Sequence, residues 1–188
     1  MPVDSHARAS VLQHVSHNLR RLRTGAGLSQ AALAQKSGVS RRMLVALEAG
    51  ENNVSLTTLD RLADALGVAF SDLIQAFEPR DPSRIEELAW VGEHPGSRGV
   101  LLASAPARRE VELWEWRLEP GECYASEADA EGWSEQLFVF EGSLQLELQG
   151  SVVRTLHAGD FYMFASNVAH AYRNVSDQAV RFMRNVVI

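Results

Sequence analysis

Hydrophobic positions in the first 77 residues recur every three or four residues, which is the period of amphipathic helices. The first helix is predicted by four such positions: Val11, Val15, Leu19 and Leu22. Three serines stand directly before further apolar stretches, where an N-cap belongs: Ser29, Ser40 and Ser55. Together with the glycines that follow each stretch, they predict helices over 30–36, 41–49 and 56–66, and a fifth over 71–77. The N-terminal part of the chain is therefore predicted to be all-helical.

The pattern changes after residue 98, where apolar residues begin to alternate in short runs. Seven or eight short strands at this spacing predict an all-β sandwich or barrel. The chain is thus predicted to be α+β in two domains. Its expected layout is a flexible tail over 1–12, five helices over 13–77, a linker over 78–98 and the β domain over 99–188. A short apolar piece of the linker, Leu88 to Val91, is a candidate edge strand.

Charge divides the chain at nearly the same place. Residues 1–77 carry eight basic and six acidic side chains, a net charge of +2, whereas residues 78–188 carry ten and eighteen, a net charge of −8. This asymmetry favours two domains with different partners, although an ordinary uneven surface would produce it too. The 188 residues include one cysteine and no apolar run of about 18 residues, which argues against a disulfide framework and a membrane-spanning helix. The first 23 residues lack a secretory signal, so we expect a soluble, cytoplasmic protein.

The segment between residues 28 and 50 carries a helix-turn-helix pattern. Its first helix reads Leu28-Ser29-Gln30-Ala31-Ala32-Leu33-Ala34, its turn reads Ser37-Gly38-Val39-Ser40-Arg41, and its second helix ends at Leu47-Glu48-Ala49-Gly50. With the helix that follows, about sixty residues resemble the phage-repressor (Cro/C1, or XRE) helix-turn-helix family. The resemblance implies a DNA-binding domain whose second helix enters the major groove while the first crosses the phosphate backbone.

The resemblance also indicates which side chains would contact DNA. These residues are Gln30, Ser40, Arg41, Arg42, Met43, Ala46, Asn52 and Asn53. Gln30 is expected to bind a phosphate, and Arg41 and Arg42 to bind bases or phosphates, because arginine forms bidentate hydrogen bonds with guanine. Arg23 and Glu48 match a charge pair that joins the first and third helices in this family. The simpler alternative for Arg41 and Arg42 is solvated surface charge.

Two segments of the β domain resemble the two motifs of the cupin family. Glu135 with Gly142 matches the first motif, and Gly159, His170 and Asn174 match the spacing of the second. The chain as a whole resembles bacterial regulators that join an XRE-type helix-turn-helix to a small-molecule-sensing cupin barrel. The resemblance implies a homodimer that binds a palindromic operator in double-stranded DNA and responds to a small-molecule effector.

The first of these motifs departs from the metal-binding cupins, which have a His-x-His pair shortly before the glutamate. Here the segment reads Glu127-Ala128-Asp129-Ala130-Glu131-Gly132-Trp133-Ser134-Glu135. Only Glu135 and His170 remain of the four ligands, so we expect neither a bound metal nor another cofactor. The alternative is a hard cation held with Asp129 or Glu131, since carboxylates suit such ions.

Six acidic residues and no basic residue occupy positions 122–141. Their field would favour a cationic ligand such as an amine, and aromatic faces attract ammonium groups as well. The candidate ligand-binding residues are Trp116, Asp129, Glu131, Glu135, His170 and Tyr172. The alternative is that the carboxylates lie on a solvated loop and the aromatic residues in a core or an interface.

The sequence therefore predicts a ligand-responsive DNA-binding transcriptional regulator, a dimeric repressor without enzymatic activity. The alternative from another class is a metal-dependent cupin enzyme with an accessory helical domain, whose chemistry would need the missing histidines. A third interpretation is a module whose helices contact protein, and the adjacent Arg41 and Arg42 disfavour it.

Overall fold

A computed structural model describes residues 5–51, 54–76, 84–94, 96–107 and 109–188, without the side chains of 5–10, 152 and 153. The chain divides into two compact units between Ala89 and Trp90. The N-terminal unit holds the helices and is called the helical unit. The C-terminal unit holds almost all of the strands and is called the β unit. Among the described helices, none is long and apolar enough to cross a membrane.

The helical unit contains five helices in the described ranges: α1 (Ser5–Gly25), α2 (Gln30–Ser37), α3 (Arg41–Glu48), α4 (Leu56–Leu66) and α5 (Ser71–Ile74). The three predicted N-caps are confirmed, because each serine hydroxyl accepts a hydrogen bond from a backbone N–H three residues on. Ser29 accepts from Ala32, Ser40 from Met43 and Ser55 from Thr58.

Apolar stripes from these helices form one core. Its fully buried members include Leu19, Leu33, Leu44, Leu62 and Leu73. Asn18 is also buried, and its amide donates to the carbonyl oxygens of Leu73 and Gln75 at 3.2 and 2.9 Å. These bonds tie α1 to the end of α5 and satisfy a polar side chain that would otherwise be costly to bury.

The predicted flexible tail differs from the structure. Helix α1 already begins at Ser5, so residues 5–12 are helical. Val11 and Val15 are buried and stabilise α1. The helix continues from Val11 toward the N-terminus for six more residues, to Ser5. Residues 1–4 lie outside the described residues.

The β unit contains ten strands in the described ranges: β1 (Glu87–Val91), β2 (Arg98–Ala105), β3 (Val111–Leu118), β4 (Cys123–Ser126), β5 (Ser134–Glu141), β6 (Ser143–Leu148), β7 (Ser151–His157), β8 (Phe161–Ala165), β9 (His170–Arg173) and β10 (Val180–Val187). They form a six-stranded sheet of order β1-β2-β3-β10-β5-β8 and a four-stranded sheet of order β4-β9-β6-β7. The pairs among β2, β3, β10, β5 and β8 in the large sheet and those of the small sheet are antiparallel. The predicted two-domain α+β class is confirmed.

Alternation along the strands places every second side chain between the two sheets. In β10 the buried positions are Val180, Phe182, Arg184 and Val186, and in β3 they are Glu112, Trp114, Trp116 and Leu118. Strand β10 pairs with β3 on one side and β5 on the other, which brings the inward residues of all three strands together. A buried arginine and two tryptophans therefore share the interior of the β unit.

Two strands differ from the sequence-based layout. Strand β1 lies within the predicted linker and pairs at the edge of the large sheet, as the apolar piece at 88–91 suggested. Strand β4 was not predicted from the sequence. It forms through its partner β9, where Tyr124 lies opposite Tyr172.

Candidate functional site

The turn between α2 and α3 is fixed by backbone conformation and by a hydrogen bond from α4. Gly38 ends α2 in the left-handed conformation, with φ of 67°, which a glycine adopts without a steric penalty. The Nε of Arg61 donates to the carbonyl oxygen of Ser37 at 3.2 Å. This hydrogen bond holds the turn, and with it the start of α3, against α4 of the helical unit.

Helix α3 presents a basic outer face. Arg41, Arg42 and Met43 are exposed, Ala46 is half-buried, and Leu44 faces the core. Within the described part of the chain, neither arginine pairs with a carboxylate. The charges of Arg41 and Arg42 are therefore available to a binding partner outside the chain.

Glu48, the last residue of α3, is the anchor of this arrangement. Its carboxylate accepts from Arg23 Nε at 2.5 Å and Nη2 at 2.9 Å, and from Gln30 Nε2 at 2.9 Å. Its backbone carbonyl oxygen accepts from Ser16 and Arg20. Although burial alone would raise the pKa of Glu48, the hydrogen bonds from Arg23 and Gln30 lower it. One buried carboxylate thus joins α1, α2 and α3, as the family resemblance implied for Arg23 and Glu48.

The other predicted DNA contacts are placed in different ways. Gln30 donates one amide hydrogen to Glu48 and retains a second. Ser40 is exposed and uses its hydroxyl oxygen as the N-cap of α3. Asn52 and Asn53 lie outside the described residues. The assignment of these side chains to DNA stays a prediction.

In the β unit, four ionisable side chains meet between the sheets: Asp129, Glu135, His170 and Arg184, which we call the polar cluster. Glu135 Oε1 lies 3.3 Å from Arg184 Nη1 and 3.5 Å from His170 Nε2, and all three side chains are almost fully buried. His170 Nδ1 lies 2.9 Å from the carbonyl oxygen of Val168, so that nitrogen carries the proton and Nε2 faces the carboxylate. Glu135 is therefore the centre of the cluster.

Burial and charge shift the ionisation of this cluster. Burial raises the pKa of Asp129. For His170, burial alone would lower the pKa, but the adjacent carboxylate of Glu135 raises it. For Arg184, burial alone would lower the pKa, and the combined charges of surrounding groups, with Glu135 first among them, raise it. The cluster thus holds a permanent cation beside its carboxylates.

Aromatic side chains enclose Arg184. Its guanidinium carbon lies 4.8 Å from the ring centroid of Trp114 and 5.1 Å from that of Trp116, within the range of cation–π attraction. Tyr172 packs near Trp116, with ring centroids 6.2 Å apart. Buried polar atoms of this cluster and of its aromatic neighbours that lack a hydrogen-bond partner among the described residues include Trp116 Nε1, Glu135 Oε2, His170 Nε2, Tyr172 OH and Arg184 Nε.

Five of the six predicted ligand-binding residues lie in or beside this interior: Trp116, Asp129, Glu135, His170 and Tyr172. The sixth, Glu131, does not. It is exposed in the turn before β5, where Gly132 adopts φ of 91° and Trp133 N–H donates to the carbonyl oxygen of Ala130. This turn points the Glu131 side chain into solvent, so the structure does not support Glu131 as a pocket residue.

Arg184 is the residue of this candidate site that was not predicted from the sequence. Its signal was present in the chain, because Val180, Phe182, Arg184 and Val186 share one phase of an alternating strand. A charged residue in the buried phase requires an interior partner.

A metal fits this interior poorly. The ligand atoms of Asp129, Glu135 and His170 lie within 4.8 Å of one another, and such a mixed donor set could hold a divalent ion. However, Arg184 already places a fixed positive charge 3.3 Å from Glu135, and it would repel such an ion at the shared carboxylate.

Comparisons with known proteins agree with both halves of this architecture. Residues 19–73 match the helix-turn-helix family and residues 114–188 match the cupin domain family. A 60-residue stretch is 42% identical to an uncharacterized HTH-type transcriptional regulator, y4dJ, of Sinorhizobium fredii, covering 32% of this chain and 78% of that protein. The two domains define a DNA-binding type of helix-turn-helix joined to a cupin.

Two further similarities extend over nearly the whole chain. The HTH-type transcriptional regulator SutR of Escherichia coli is 29% identical over 176 residues, which is 92% of this chain and 94% of SutR. The crystal structure of a helix-turn-helix family transcriptional regulator from Vibrio cholerae has a TM-score of 0.76 and 26% identity, covering 96% of this chain and 98% of that one. The chain belongs to the XRE-type HTH transcriptional regulators with a C-terminal cupin domain.

Proposed function

We propose that this protein is a cytoplasmic, dimeric repressor that binds a palindromic operator and releases it in response to a small molecule bound in the cupin domain. The observation that carries the proposal is the basic face of α3. The C-terminal end of this helix is held to α1 and α2 through the hydrogen bonds of Glu48. A rigidly held helix with exposed arginines can read base edges without reorganisation when it enters a major groove.

Arg41 and Arg42 are the residues that we assign to recognition. Each can donate two parallel hydrogen bonds to guanine O6 and N7, a contact worth about 1–3 kcal/mol of base discrimination. Met43 and Ala46 offer apolar contact to a thymine methyl group on the same face. Two copies of α3 in a dimer would read half-sites about one helical turn apart, or ~34–36 Å.

The effector is assigned to the polar cluster. Buried polar atoms without partners are costly, and such atoms lie on Glu135, His170 and Arg184 and on the neighbouring Trp116 and Tyr172. A ligand that supplies the missing hydrogen bonds would remove this cost, and the free energy recovered would contribute to the affinity of the ligand. A coupling of about 1–3 kcal/mol between this site and the operator would change operator affinity 5–150-fold.

The chemistry of the unpartnered atoms bears on which ligand fits. The acidic stretch at 122–141 suggested an amine, but folding disperses it: Glu127 and Glu131 are exposed, and Glu122 accepts from the backbone N–H of His94. Arg184 already occupies the carboxylate and the aromatic faces that an amine would use. Trp116 and Arg184 offer N–H donors, so a ligand rich in acceptor oxygens has more support than an amine.

The second candidate function is a metal-dependent cupin enzyme. It is favoured by the close approach of Asp129, Glu135 and His170 and disfavoured by the adjacent charge of Arg184. Elemental analysis of the purified protein separates the two. One tightly held transition metal per chain would favour the enzyme, and its absence is expected for the regulator.

The DNA-binding proposal is tested with operator fragments selected from random duplexes by the wild-type protein. The double substitution Arg41→Ala/Arg42→Ala should weaken binding at least tenfold and relax base preference at the contacted positions. A matched control is Arg98→Ala/Arg109→Ala, which removes two exposed arginines from the β unit and should leave affinity within threefold. Equal affinity of the α3 variant and the wild type would refute the assignment.

The effector proposal is tested by a thermal-shift screen of small carboxylates, hydroxylated compounds and amines. A ligand at one hundred times its Kd stabilises the protein by about 2.7 kcal/mol, which the melting temperature reports. The variant Glu135→Gln/His170→Ala should keep operator binding and lose both the shift and the operator response. A variant that still responds like the wild type would remove the cluster from the effector site.

A further inference from the structure

The outward side of α3 carries an exposed valine between its two arginines. Val45 is 43% exposed, whereas Leu44, the residue before it, is buried in the core. Successive residues of an α-helix are ~100° apart around the axis, so Val45 lies ~40° from Arg41 and ~60° from Arg42. Val45 therefore occupies the arc between the two arginines, about one turn further along the helix than Arg41.

Packing within the chain does not explain a valine at this position. Valine is β-branched and forms helices less readily than alanine, and an exposed side chain adds little to the core. A single exposed apolar residue is common on protein surfaces. Val45, however, stands between Arg41 and Arg42, which pair with no carboxylate in the described part of the chain. An apolar group flanked by cations matches the edge of a base pair, where the thymine methyl group lies beside hydrogen-bond acceptors.

The same face of α3 is poor in hydrogen-bond acceptors. Of the eight side chains of this helix, all within the described residues, Glu48 carries the one strong acceptor. That carboxylate is buried and engaged by Arg23 and Gln30. Just before the helix, the hydroxyl oxygen of Ser40 accepts from the backbone N–H of Met43. The exposed part of α3 therefore presents guanidinium donors and apolar groups.

A face of donors and apolar groups distinguishes the four bases in the major groove. Guanine offers two adjacent acceptors, O6 and N7, and thymine offers the acceptor O4 beside its methyl group. Adenine and cytosine each present an amino group there, which a guanidinium cannot accept from. Arg41, Arg42 and Val45 therefore favour guanine and thymine over adenine and cytosine.

The rise of the helix limits how far apart the contacted bases can lie. From Arg41 to Val45 the axis advances by four residues of ~1.5 Å, or ~6 Å in all. Successive base pairs are ~3.4 Å apart, so this advance corresponds to about two base-pair steps. The two arginines and the valine are thus matched to three consecutive base pairs.

We infer that α3 reads a half-site core of two guanines and one thymine, on either strand, within three consecutive base pairs, and that Val45 contacts the thymine methyl group. The inference rests on the proposed function, which supplies the palindromic operator. It adds the base chemistry of each half-site and a specificity-determining residue, Val45, that was not among the predicted DNA contacts.

The test uses the full-length protein and the duplex that it selects from a random pool, with small chemical changes in single bases. Replacing a contacted guanine by 7-deazaguanine removes N7 and should weaken binding about fivefold or more, while inosine keeps N7 and O6 and should leave affinity within about threefold. Replacing the contacted thymine by deoxyuridine removes only the methyl group. That change should weaken binding about fourfold, which is the worth of one buried methyl group.

The variant Val45→Ala identifies the residue that reads the thymine. Alanine is the better helix former, so the variant is expected to fold, and its affinities for the thymine and deoxyuridine duplexes should agree within about 1.5-fold. The matched control is Val175→Ala, which makes the same change at a 61% exposed residue of the β unit and should keep the whole difference. A difference that persists in Val45→Ala overturns the role of Val45.

The outcomes separate this inference from the function on which it rests. Loss of affinity at two guanines and one thymine, with the thymine effect abolished by Val45→Ala, supports both. Selected half-sites without such a core, or full affinity for the 7-deazaguanine duplexes, overturn the base assignment and leave the regulator intact. A chain that selects no duplex overturns the proposed function, and this inference with it.

Discussion

Replacing Glu48 by glutamine should destabilise the helical unit more than any exposed substitution in α3. Glu48 is 2% exposed and its partner Arg23 12% exposed, and the carboxylate accepts three side-chain hydrogen bonds. The glutamine amide keeps the shape of Glu48 but loses the charge, and it presents an N–H₂ group where an acceptor is needed. Arg23 then keeps its bond to the Leu28 carbonyl oxygen at 2.8 Å, and at position 48 it has one neutral amide oxygen in place of two charged carboxylate oxygens.

The expected loss follows from the burial of the pair. Removing one partner of a buried ion pair typically costs about 3–5 kcal/mol, because the other charge is left uncompensated. The continued bond from Arg23 to Leu28 places the expected value at the lower end, about 3 kcal/mol. The double variant Arg23→Met/Glu48→Leu removes both charges and should lose less than the sum of the two single changes, with a coupling of at least ~1.5 kcal/mol.

The assay can follow each unit separately. All four tryptophans lie at or after Trp90, in the β unit, so their fluorescence reports that unit, while circular dichroism at 222 nm follows the helices. In urea, the unfolding transition followed by circular dichroism should move to lower denaturant concentration for the variant. The unfolding free energy obtained from tryptophan fluorescence should stay within ~0.5 kcal/mol of the wild-type value. A fall of less than 1 kcal/mol for Glu48→Gln, or additive single and double variants, would refute the anchor role of Glu48.

The same variant has a pH signature. The lowered pKa of Glu48 in the folded state means that its contribution is present above the pKa of the unfolded chain, ~4.3, and is lost as the pH falls through the folded value. The difference between wild type and Glu48→Gln should therefore shrink below about pH 4. A difference that is constant from pH 7 to pH 3 would show that charge is not the cause.

Three further outcomes are expected in the cupin domain. Arg184→Gln should create affinity for Mn²⁺ or Zn²⁺, detected by calorimetry and absent from the wild type, because the repelling charge beside Glu135 is gone; failure of the folded variant to bind either ion would contradict the electrostatic argument. His170 has a raised pKa when folded, so its contribution is full below ~6.5 and is lost as pH rises through the folded value; the fluorescence-detected stability of His170→Gln should lack that decline. Asn174 is fully buried and donates to the Leu118 and Gln178 carbonyl oxygens at 3.0 and 2.7 Å, so Asn174→Ala should cost about 2–3 kcal/mol by urea unfolding, and a loss below 1 kcal/mol would show that water replaces it.

The helical unit could be predicted almost entirely from the sequence, because its signals are local. A serine three residues before the N–H that it caps, a glycine after the last turn and an apolar stripe at helical spacing all lie within one helix. The cupin motifs likewise identified Glu135 and His170, which the structure places 3.5 Å apart. The start of α1 was not predicted correctly, because a helix can continue toward the N-terminus beyond the first residue of its apolar stripe.

Except for β4, which forms through its partner β9, the sequence by itself determined which strands and helices form and which side chains point inward, because both depend on neighbours a few residues away. Only the tertiary structure decided what those side chains meet. Arg184 neutralises Glu135 because β10 pairs with β5, although 49 residues separate the two in the chain. The same pairing sets Phe138 beside Met183 on the outer face of the six-stranded sheet, while a tight turn directs Glu131 into solvent. A buried ion pair and a continuous apolar surface are both made of residues that are distant in the sequence. Neither can be recognised until the fold has placed those residues side by side.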